Sequence, residues 1–479
     1  MGGVWEDVPV GLRGRRLALG LAGMLVLAGC QGGGGDGDAA GVRSTRTDVP
    51  LRDCGERCAG TLEGAGYEVR LPERWNGTLL LYSHGYRQAR PAPPDYAAVE
   101  TDARSAPTAE VAERLLRDGY ALAGSAYRSN GWAVADGVAA GEQLHDWFVA
   151  NVGTPDRTYV WGDSLGGLIT QLLAEKHPEW VSGAAPLCGV LGGTNLNFDL
   201  VMDLAVAVKA LLYPDLKLSG YASFEEAAAA FTGAQKAVLA AVTSPAGIPR
   251  VLLIGALVGA PAQTGRFDGA TPRSRGGAVV ESLITGLLFG TVVRWEIEQR
   301  VGGNPSGTTG ADWRQRVTAA ERQLIETVAP GSTGRNLTLL SAAGEVAPDR
   351  AARERFERLG TPTGDLAVPT VTLHTAADPL VLVQNETVFA RKVQASDRRR
   401  ADLVQLFTTA PRTYPGPAPY GAGHCAFPTA ERVGVVRVLD DWVRRGVYPT
   451  PQGEQAAFGA DTGLTPGYRP GAWPAEAGT

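Results

Sequence analysis

The chain has 479 residues, 44% hydrophobic and 20% charged, a composition typical of a globular protein. Its 45 basic and 50 acidic side chains give a net charge of −5. Because nucleic-acid-binding proteins carry basic surfaces, this balance argues against nucleic acid as a partner. The length is too great for one minimal domain and suits one core plus an insertion.

The first residues carry the pattern of an export signal. Three arginines between residues 13 and 16 precede an apolar segment, 17–27, that is too short to span a bilayer. The segment runs into Leu-Ala-Gly-Cys30, which resembles the lipobox of bacterial lipoproteins. That resemblance implies a signal peptide over 1–29, a lipid on Cys30 and anchoring at the outer face of a bacterial cell membrane. The alternative is an ordinary secretory signal with a chance cysteine.

Residues 30–59 are predicted to be a tether and N-terminal segment, because residues 31–40 are rich in glycine. Apart from Cys30, the chain has four cysteines, an even number that fits an exported protein with disulfides. One pair would close a small loop and the other would lie at the predicted active-site rim. We therefore expect two bridges, Cys54–Cys58 and Cys188–Cys425; the alternative is free buried thiols.

Residues 60–195 are predicted to form the first part of an α/β core, because apolar strands alternate with helical segments. The predicted strands are 67–71, 78–83, 120–124, 158–161 and 182–187, and the predicted helices are 109–117 and 133–149. Continuous apolar runs, rather than strict alternation, are typical of a largely parallel sheet covered on both faces.

The pentapeptide 162–166, Gly-Asp-Ser-Leu-Gly, follows the strand 158–161 and precedes a helical pattern. A strand, a sharp turn and a helix form the context of a nucleophile elbow. The turn would hold the serine in a strained conformation, and a side chain at Gly162 or Gly166 would collide with the neighbouring strand or helix. Ser164 is therefore the predicted nucleophile, the alternative being a plain glycine-rich turn.

Residues 196–364 are predicted to be an α-helical insertion after the sixth strand, since strand signals stop there. The predicted helices are 200–212, 224–242, 279–297 and 312–328. The apolar helices 224–242 and 279–297 have more hydrophobic surface than a solvated cap needs, so we expect them to line an acyl pocket for bulky groups. The alternative is that these faces only pack on other helices and leave a narrow pocket.

The sheet is predicted to resume within a second core segment, residues 365–447. Its strands are 368–374 and 403–408, and its closing helix is 430–445. The tail, residues 448–479, is rich in glycine and proline and is expected to lie over the surface or to be loose.

A serine hydroxyl needs a base within hydrogen-bond reach, and the base needs an acid to orient it. His424 lies in a glycine-rich loop after the last strand and is the predicted base. Asp378 follows the strand 368–374 and is the predicted acid, with Glu386 as the fallback. His374, at the end of that strand, is expected to be structural.

The oxyanion of a tetrahedral intermediate needs backbone N–H donors. Leu165, directly after the nucleophile, is predicted to supply one of them at the start of a helix. Tyr86, after the pair His84-Gly85, is predicted to supply the other, because glycine lets the backbone approach a substrate carbonyl. The alternative for His84-Gly85 is a simple strand-to-loop turn.

Taken together, the elbow, the acid and the histidine resemble the α/β-hydrolase superfamily over roughly residues 60–195 and 365–445. The resemblance implies an α/β-hydrolase fold: a mostly parallel sheet, helices on both faces and a large α-helical lid after the sixth strand. A cysteine beside the catalytic histidine resembles tannases and feruloyl esterases. Those enzymes carry a second cysteine beside the nucleophile, where this chain has Asp163, so the subfamily assignment fails.

The sequence therefore predicts a serine hydrolase that cleaves small-molecule or polymeric carboxylic esters through an acyl-enzyme, with no metal and no cofactor. A peptidase or amidase of the same fold is the second hypothesis, although no compact acidic cluster for a substrate amino terminus is found. A non-catalytic surface lipoprotein that kept the fold for binding is the third.

Overall fold

The computed structural model describes residues 54–398, 401–409, 423–460 and 462–476. The predicted signal peptide, Cys30 and most of the tether lie outside these residues, so the lipid-anchor prediction is not addressed by the fold. Within the described residues the strands form one sheet. They are β1 Arg57–Leu62, β2 Ala65–Arg70, β3 Thr78–Ser83, β4 Ala121–Ser125, β5 Arg157–Asp163, β6 Gly183–Leu187, β7 Thr370–Thr375 and β8 Leu403–Thr408.

The sheet has the strand order β1-β2-β4-β3-β5-β6-β7-β8. β1 pairs with β2 and β2 pairs with β4 in antiparallel fashion, whereas every later pairing is parallel. Sequence reasoning did not predict β1. It forms a hairpin with β2 through Glu63 and Gly64, which both have positive φ (48° and 86°), as a two-residue hairpin turn requires.

The helices of the core are α1 Ala109–Arg117, α2 Val134–Asn151, α3 Leu165–Lys176, α12 Asn385–Ala395 and α13 Thr429–Arg445. Those between β6 and β7 are α4 Thr194–Leu211, α5 Phe224–Ala241, α6 Ile248–Leu257, α7 Pro272–Leu288, α8 Arg294–Val301, α9 Ala319–Val328, α10 Ser332–Ser341 and α11 Arg350–Gly360. A π-helical turn, Phe289–Val293, joins α7 to α8. The tail contains α14, Pro451–Phe458, and a 3₁₀ turn, Pro474–Glu476.

Both faces of the sheet are covered by helices, because successive side chains of a strand point to opposite sides. On β3, Leu79 and Leu81 pack with α2 and α3, whereas Leu80 and Tyr82 pack with α1 and α13. The strand order, the two covered faces and the sharp turn between β5 and α3 together make this the α/β-hydrolase fold. The predicted fold class is confirmed.

The segment between β6 and β7 is helical throughout its regular structure, and α4 to α7, α9 and α10 pack their apolar side chains into a cluster of their own. The predicted helix 279–297 is interrupted by the π-helical turn, and α6, α10 and α11 were not predicted. Several hydrogen bonds tie this segment to the core; for example, Ser282 Oγ donates to the Pro379 carbonyl (2.8 Å), and Trp132 N donates to Glu296 (3.0 Å). Its role as a lid stays a prediction.

One continuous helical stretch, Arg273–Val301, is long and apolar enough to cross a membrane. In its most apolar window, however, 67% of the residues are buried inside the protein. A core helix of a globular domain passes the same length and composition test, so this stretch is weak evidence for a membrane span.

The tail is more ordered than its composition predicted. Phe458 of α14 is buried against α13, and Trp473 is buried farther along. Leu464 pairs with Thr408 in an antiparallel bridge, and Thr465 N donates to the Phe407 carbonyl (2.8 Å), so the tail continues the sheet beyond β8. Backbone groups at the sheet edge, which would otherwise need water, are thereby paired.

Candidate active site

Ser164 lies between β5 and α3 in the strained backbone conformation expected of an elbow, with φ 58° and ψ −120°. The two glycines of the pentapeptide make room for it. A Cβ on Gly162 would lie 2.4 Å from the Ser83 carbonyl oxygen, and a Cβ on Gly166 would lie 2.0 Å from the same atom. These distances are far below contact range, so the close approach of β3 requires both glycines.

The structure brings Ser164, His424 and Asp378 together, although up to 260 positions separate them in sequence. Ser164 Oγ is 2.7 Å from His424 Nε2, and His424 Nδ1 is 2.8 Å from Asp378 Oδ2. Because a carboxylate only accepts, Nδ1 carries the proton and donates to Asp378. Nε2 is then the acceptor for the serine hydroxyl, as a general base must be.

Asp378 accepts hydrogen bonds on both of its carboxylate oxygens. Its Oδ1 accepts hydrogen bonds from the backbone N–H groups of Leu380 and Val381, both at 2.9 Å. Burial opposes ionisation, but the charge that His424 carries when it is protonated and the hydrogen bond from His374 outweigh burial and hold the pKa of Asp378 well below its ordinary value. The carboxylate is therefore anionic throughout the neutral range.

A buried arginine connects the elbow to the histidine loop. Arg432, in the first turn of α13, donates from Nη1 to both carboxylate oxygens of Asp163 at 2.6 Å. From Nη2 it donates to the carbonyl oxygen of Cys425 at 2.8 Å. Asp163 precedes the serine and Cys425 follows the histidine, so one side chain fixes the neighbours of both groups.

The same loop is also held covalently. Both predicted disulfides are present, Cys54–Cys58 and Cys188–Cys425. Cys188 directly follows β6, whose last residue, Leu187, accepts a hydrogen bond from Ser164 N at 2.9 Å. The Cys188–Cys425 bridge therefore attaches the histidine loop to the strand beside the elbow.

The backbone segments predicted to form an oxyanion hole flank the serine. Leu165 is the first residue of α3, so its N–H has no carbonyl partner within that helix. A Cβ on Gly85 would lie 3.3 Å from Ser164 Cβ, which places the chain just before Tyr86 against the serine. The ring of Tyr86 packs against Phe289 (centroids 5.5 Å apart) and borders the cavity described next.

A cavity of about 210 Å³ opens beside the serine and the histidine. Most of its remaining wall comes from the segment after β3, including Gln88, Ala92, Pro94, Ala98, Val99 and Pro107. Among the described residues, none of the insertion helices borders this cavity. The prediction that 224–242 and 279–297 line an acyl pocket is wrong at this cavity. The apolar side chains of α7 and most of those of α5 are buried in the insertion's own cluster, and α5 borders a second cavity together with Arg90, Pro91 and Tyr96.

His84, at the end of β3, is neutral and structural. Burial, aided by the charge of Arg87, lowers the pKa of His84 to about 3. Its Nδ1 donates to the Gly85 carbonyl at 2.6 Å, and its ring stacks on Tyr127 with centroids 3.9 Å apart. In the part of the chain that the structure describes, no group of three or more His, Cys, Asp or Glu side chains could hold a metal ion.

Sequence reasoning missed the partners that surround the three predicted catalytic groups. Glu386, the fallback acid, lies next to His374 and not next to His424. Arg432 was not singled out, because one arginine in an amphipathic helix resembles a surface residue until its long-range partners are known. His374 ends the predicted strand 368–374 and Glu386 lies twelve positions later, but no local pattern indicates that their side chains meet.

No protein-family model matches the chain. Over 128 residues it is 28% identical to an o-phthalyl amidase of Xanthobacter agilis, an alignment that covers 26% of this chain. The chain thus spans about a quarter of the length of the curated relative that it matches.

The solved structures that the chain resembles at low similarity include an esterase and a peptidase. Feruloyl esterase B of Aspergillus oryzae has a TM-score of 0.38 and 14% identity, covering 82% of each chain. Proline iminopeptidase of Mycobacterium smegmatis has a TM-score of 0.33 and 13% identity, covering 84% of this chain and 99% of the other. At such low sequence identities and TM-scores, these similarities do not indicate a substrate.

Proposed function

We propose that this protein is a serine hydrolase that cleaves carboxylic esters, with Ser164 as nucleophile, His424 as base and Asp378 as acid. The observation that carries the proposal is the continuous hydrogen-bond chain from Ser164 Oγ through His424 to Asp378, at 2.7 and 2.8 Å. The serine occupies a strained elbow at the edge of a cavity large enough for a small acyl group. Nucleophile, base and orienting acid within hydrogen-bond reach are what acyl transfer requires.

In the proposed reaction, His424 Nε2 takes the proton of Ser164 Oγ as Oγ attacks the ester carbonyl carbon. The resulting oxyanion accepts hydrogen bonds from the backbone N–H groups of Leu165 and Tyr86. His424 then donates its proton to the leaving alkoxide oxygen, and the acyl-enzyme remains. Water attacks the acyl-enzyme with His424 again as base, and the carboxylic acid leaves. Asp378 stabilises the imidazolium in both steps.

Amide cleavage is the second candidate activity, and the local similarity to an o-phthalyl amidase supports it. The same groups cleave amides when the histidine protonates the leaving amine. Turnover of p-nitrophenyl acetate and of p-nitroacetanilide separates the two activities. We expect the ester to be preferred, and a higher kcat/KM on the anilide would reverse the order. A purely binding role is disfavoured by the intact alignment of the three groups.

The proposed function predicts that Ser164→Ala abolishes turnover of p-nitrophenyl acetate. Removal of the nucleophile costs on the order of 10⁴-fold or more in kcat in enzymes of this type. Ser396→Ala, which removes a hydroxyl bonded to Asp365 on the surface, is the matched control and should behave as wild type. If Ser164→Ala kept most of the activity, the nucleophile assignment would be wrong.

We also propose that the protein is exported and anchored by a lipid on Cys30, so that the membrane is a partner. Support comes from the lipobox-like sequence, which lies outside the described residues, and from two disulfides, which suit an oxidising compartment. Cys30→Ser should move the protein from the membrane fraction to the soluble exported fraction. Retention of Cys30→Ser at the membrane would contradict the anchor.

A further inference from the structure

A second histidine lies behind the proposed triad acid. His374, on β7, is completely buried, and so are the carboxylates of Asp378 and Glu386 on either side of it. His374 Nε2 is 3.5 Å from Asp378 Oδ2 and 2.9 Å from the Val381 carbonyl oxygen. His374 Nδ1 is 3.3 Å from Glu386 Oε1.

Both ring nitrogens of His374 therefore face oxygen atoms that can only accept. A neutral imidazole has one N–H and one lone pair, so one nitrogen would point its lone pair at an acceptor. Burial alone would lower the pKa of His374, but the hydrogen bonds to Asp378 and Glu386 outweigh burial and raise it to about 9. His374 is thus a buried imidazolium at neutral pH.

Glu386 is held as the counter-charge. Its Oε2 accepts hydrogen bonds from the hydroxyl of Thr372 and from the amide of Gln405, both at 2.7 Å. Its Oε1 faces His374. These donors fix the orientation of the carboxylate, so that Glu386, His374 and Asp378 follow one another through the buried cluster.

We propose that His374, backed by Glu386, is a positioning residue for the triad acid: its buried positive charge keeps Asp378 ionised and oriented toward His424. The proposal rests on the serine-hydrolase function proposed above. Asp378 Oδ2 is shared between His424 Nδ1 at 2.8 Å and His374 Nε2 at 3.5 Å, while Oδ1 is fixed by two backbone N–H groups. The carboxylate therefore has one orientation in which all of its neighbours are satisfied.

The two isosteric variants His374→Gln and Glu386→Gln change the charge beside the Asp378–His424 pair in opposite directions. Loss of the imidazolium makes it easier for the pair to take up a proton, so the acid limb of kcat/KM should move to higher pH by about one unit. Loss of the Glu386 charge should move that limb to lower pH. The double variant restores the charge balance, and its limb should lie near that of the wild type.

The experiment is the pH profile of kcat and KM on p-nitrophenyl acetate for these three variants. His374→Gln should lower kcat by up to about 100-fold, with KM changed much less, because misplacement of a catalytic group by a small distance has that cost. His177→Gln, on the far end of α3 and paired with Glu142, is the matched control and should leave the profile unmoved. Equal loss of kcat at every pH, without opposite limb shifts, would overturn the proposal.

A readout without turnover separates this inference from the proposed function. In protein labelled with ¹⁵N-histidine, the signals that disappear in His374→Gln should show two protonated ring nitrogens at pH 7 and 8. A His374 that is neutral at pH 7 would overturn the inference even if the enzyme is active. A wild type that has no Ser164-dependent turnover, but keeps the imidazolium, would instead reject the proposed function.

Discussion

Arg432 joins the residue before the nucleophile to the residue after the base, with its side chain only 3% exposed. Its guanidinium reaches Asp163 and the Cys425 carbonyl at 2.6 and 2.8 Å. In tannases and feruloyl esterases a cysteine stands beside the nucleophile, whereas here an ion pair and a Cys188–Cys425 bridge hold the histidine loop. The position of His424 thus depends on a residue far from the substrate.

We expect Arg432→Met to lower kcat on p-nitrophenyl acetate by about 100-fold, because the histidine loop loses a support and His424 is misplaced. The same variant leaves the Asp163 carboxylate buried without its partner, which costs about 3–5 kcal/mol of stability. Kinetics and thermal unfolding measure the two effects separately.

The double variant Asp163→Asn/Arg432→Met separates the effect on kcat from the effect on stability. It removes both charges, so it should recover much of the stability while kcat stays low. Arg437→Met, on the same helix and paired with Asp118 at the surface, is the matched control. Recovery of kcat together with stability would mean that Arg432 only stabilises the fold.

At the scale of elements, the tail and α13 meet through a buried carboxylate. Glu431 accepts a hydrogen bond from Gly463 N at 2.7 Å and is 1% exposed. Burial raises the pKa of Glu431 from 4.5 to about 7, since the Gly463 hydrogen bond and the charge of Arg432 offset it only in part. The contact between tail and helix is therefore sensitive to pH.

The sign of this sensitivity follows from proton binding. Between pH 4.5 and 7 the folded protein holds a proton on Glu431 that the unfolded chain has lost, so stability falls as pH rises through this window. Glu431→Gln cannot ionise and should raise the melting temperature at pH 8 while changing it little at pH 5. Glu354→Gln, at an exposed pair with Arg350, is the control. If Glu431→Gln changed the melting temperature equally at pH 5 and pH 8, the raised pKa of buried Glu431 would be contradicted.

At the scale of the whole molecule, the insertion packs behind the cavity wall, where Phe289 contacts Tyr86, but no described residue of the insertion lines the cavity. Among the residues that the structure describes, the wall of the cavity comes mainly from residues 86–107. The volume of the cavity is about 210 Å³, below the range usual for sites that hold drug-sized ligands. The helices α5 and α7 bury their apolar faces among other helices of the insertion. The apolar composition of the insertion therefore reflects its own packing.

We expect short acyl groups to be preferred. From p-nitrophenyl butyrate to octanoate, kcat/KM should fall by roughly tenfold or more, since a clash of about 1.4 kcal/mol already has that effect on a rate. Val99→Ala, in the cavity wall, should relax the preference, whereas Val280→Ala, on α7, should not. If kcat/KM rose steadily with acyl-chain length, or responded only to Val280→Ala, the insertion helices would line the acyl pocket after all.

Much of the fold could be predicted because its signals are local. Apolar runs predicted β3 to β8, and the glycine spacing around Ser164 predicted the turn between β5 and α3. Asp378 and His424 each follow a predicted strand, and this placement predicted that they would lie near Ser164, as they do in the structure.

What could not be predicted depends on long-range contacts. The hairpin partner β1 is mostly exposed and has no continuous apolar run, so it lacks the pattern of a buried strand. The partners of His374 and Arg432 come from other elements, and nothing in their neighbouring residues indicates them. The residues that line the cavity could not be predicted for the same reason. Apolar periodicity indicates that a helix face is buried, but it does not indicate against which element that face packs.

The central claim is that Ser164 is an activated nucleophile in the folded protein, and a fluorophosphonate probe tests it most directly. The probe reacts only with a serine that a base activates, and it needs no knowledge of the natural substrate. Mass spectrometry of the digested protein should place the adduct on the peptide that contains Ser164. Ser164→Ala and urea-denatured wild type should both remain unlabelled. Folded wild type that fails to react, or an adduct that persists in Ser164→Ala, would contradict the account.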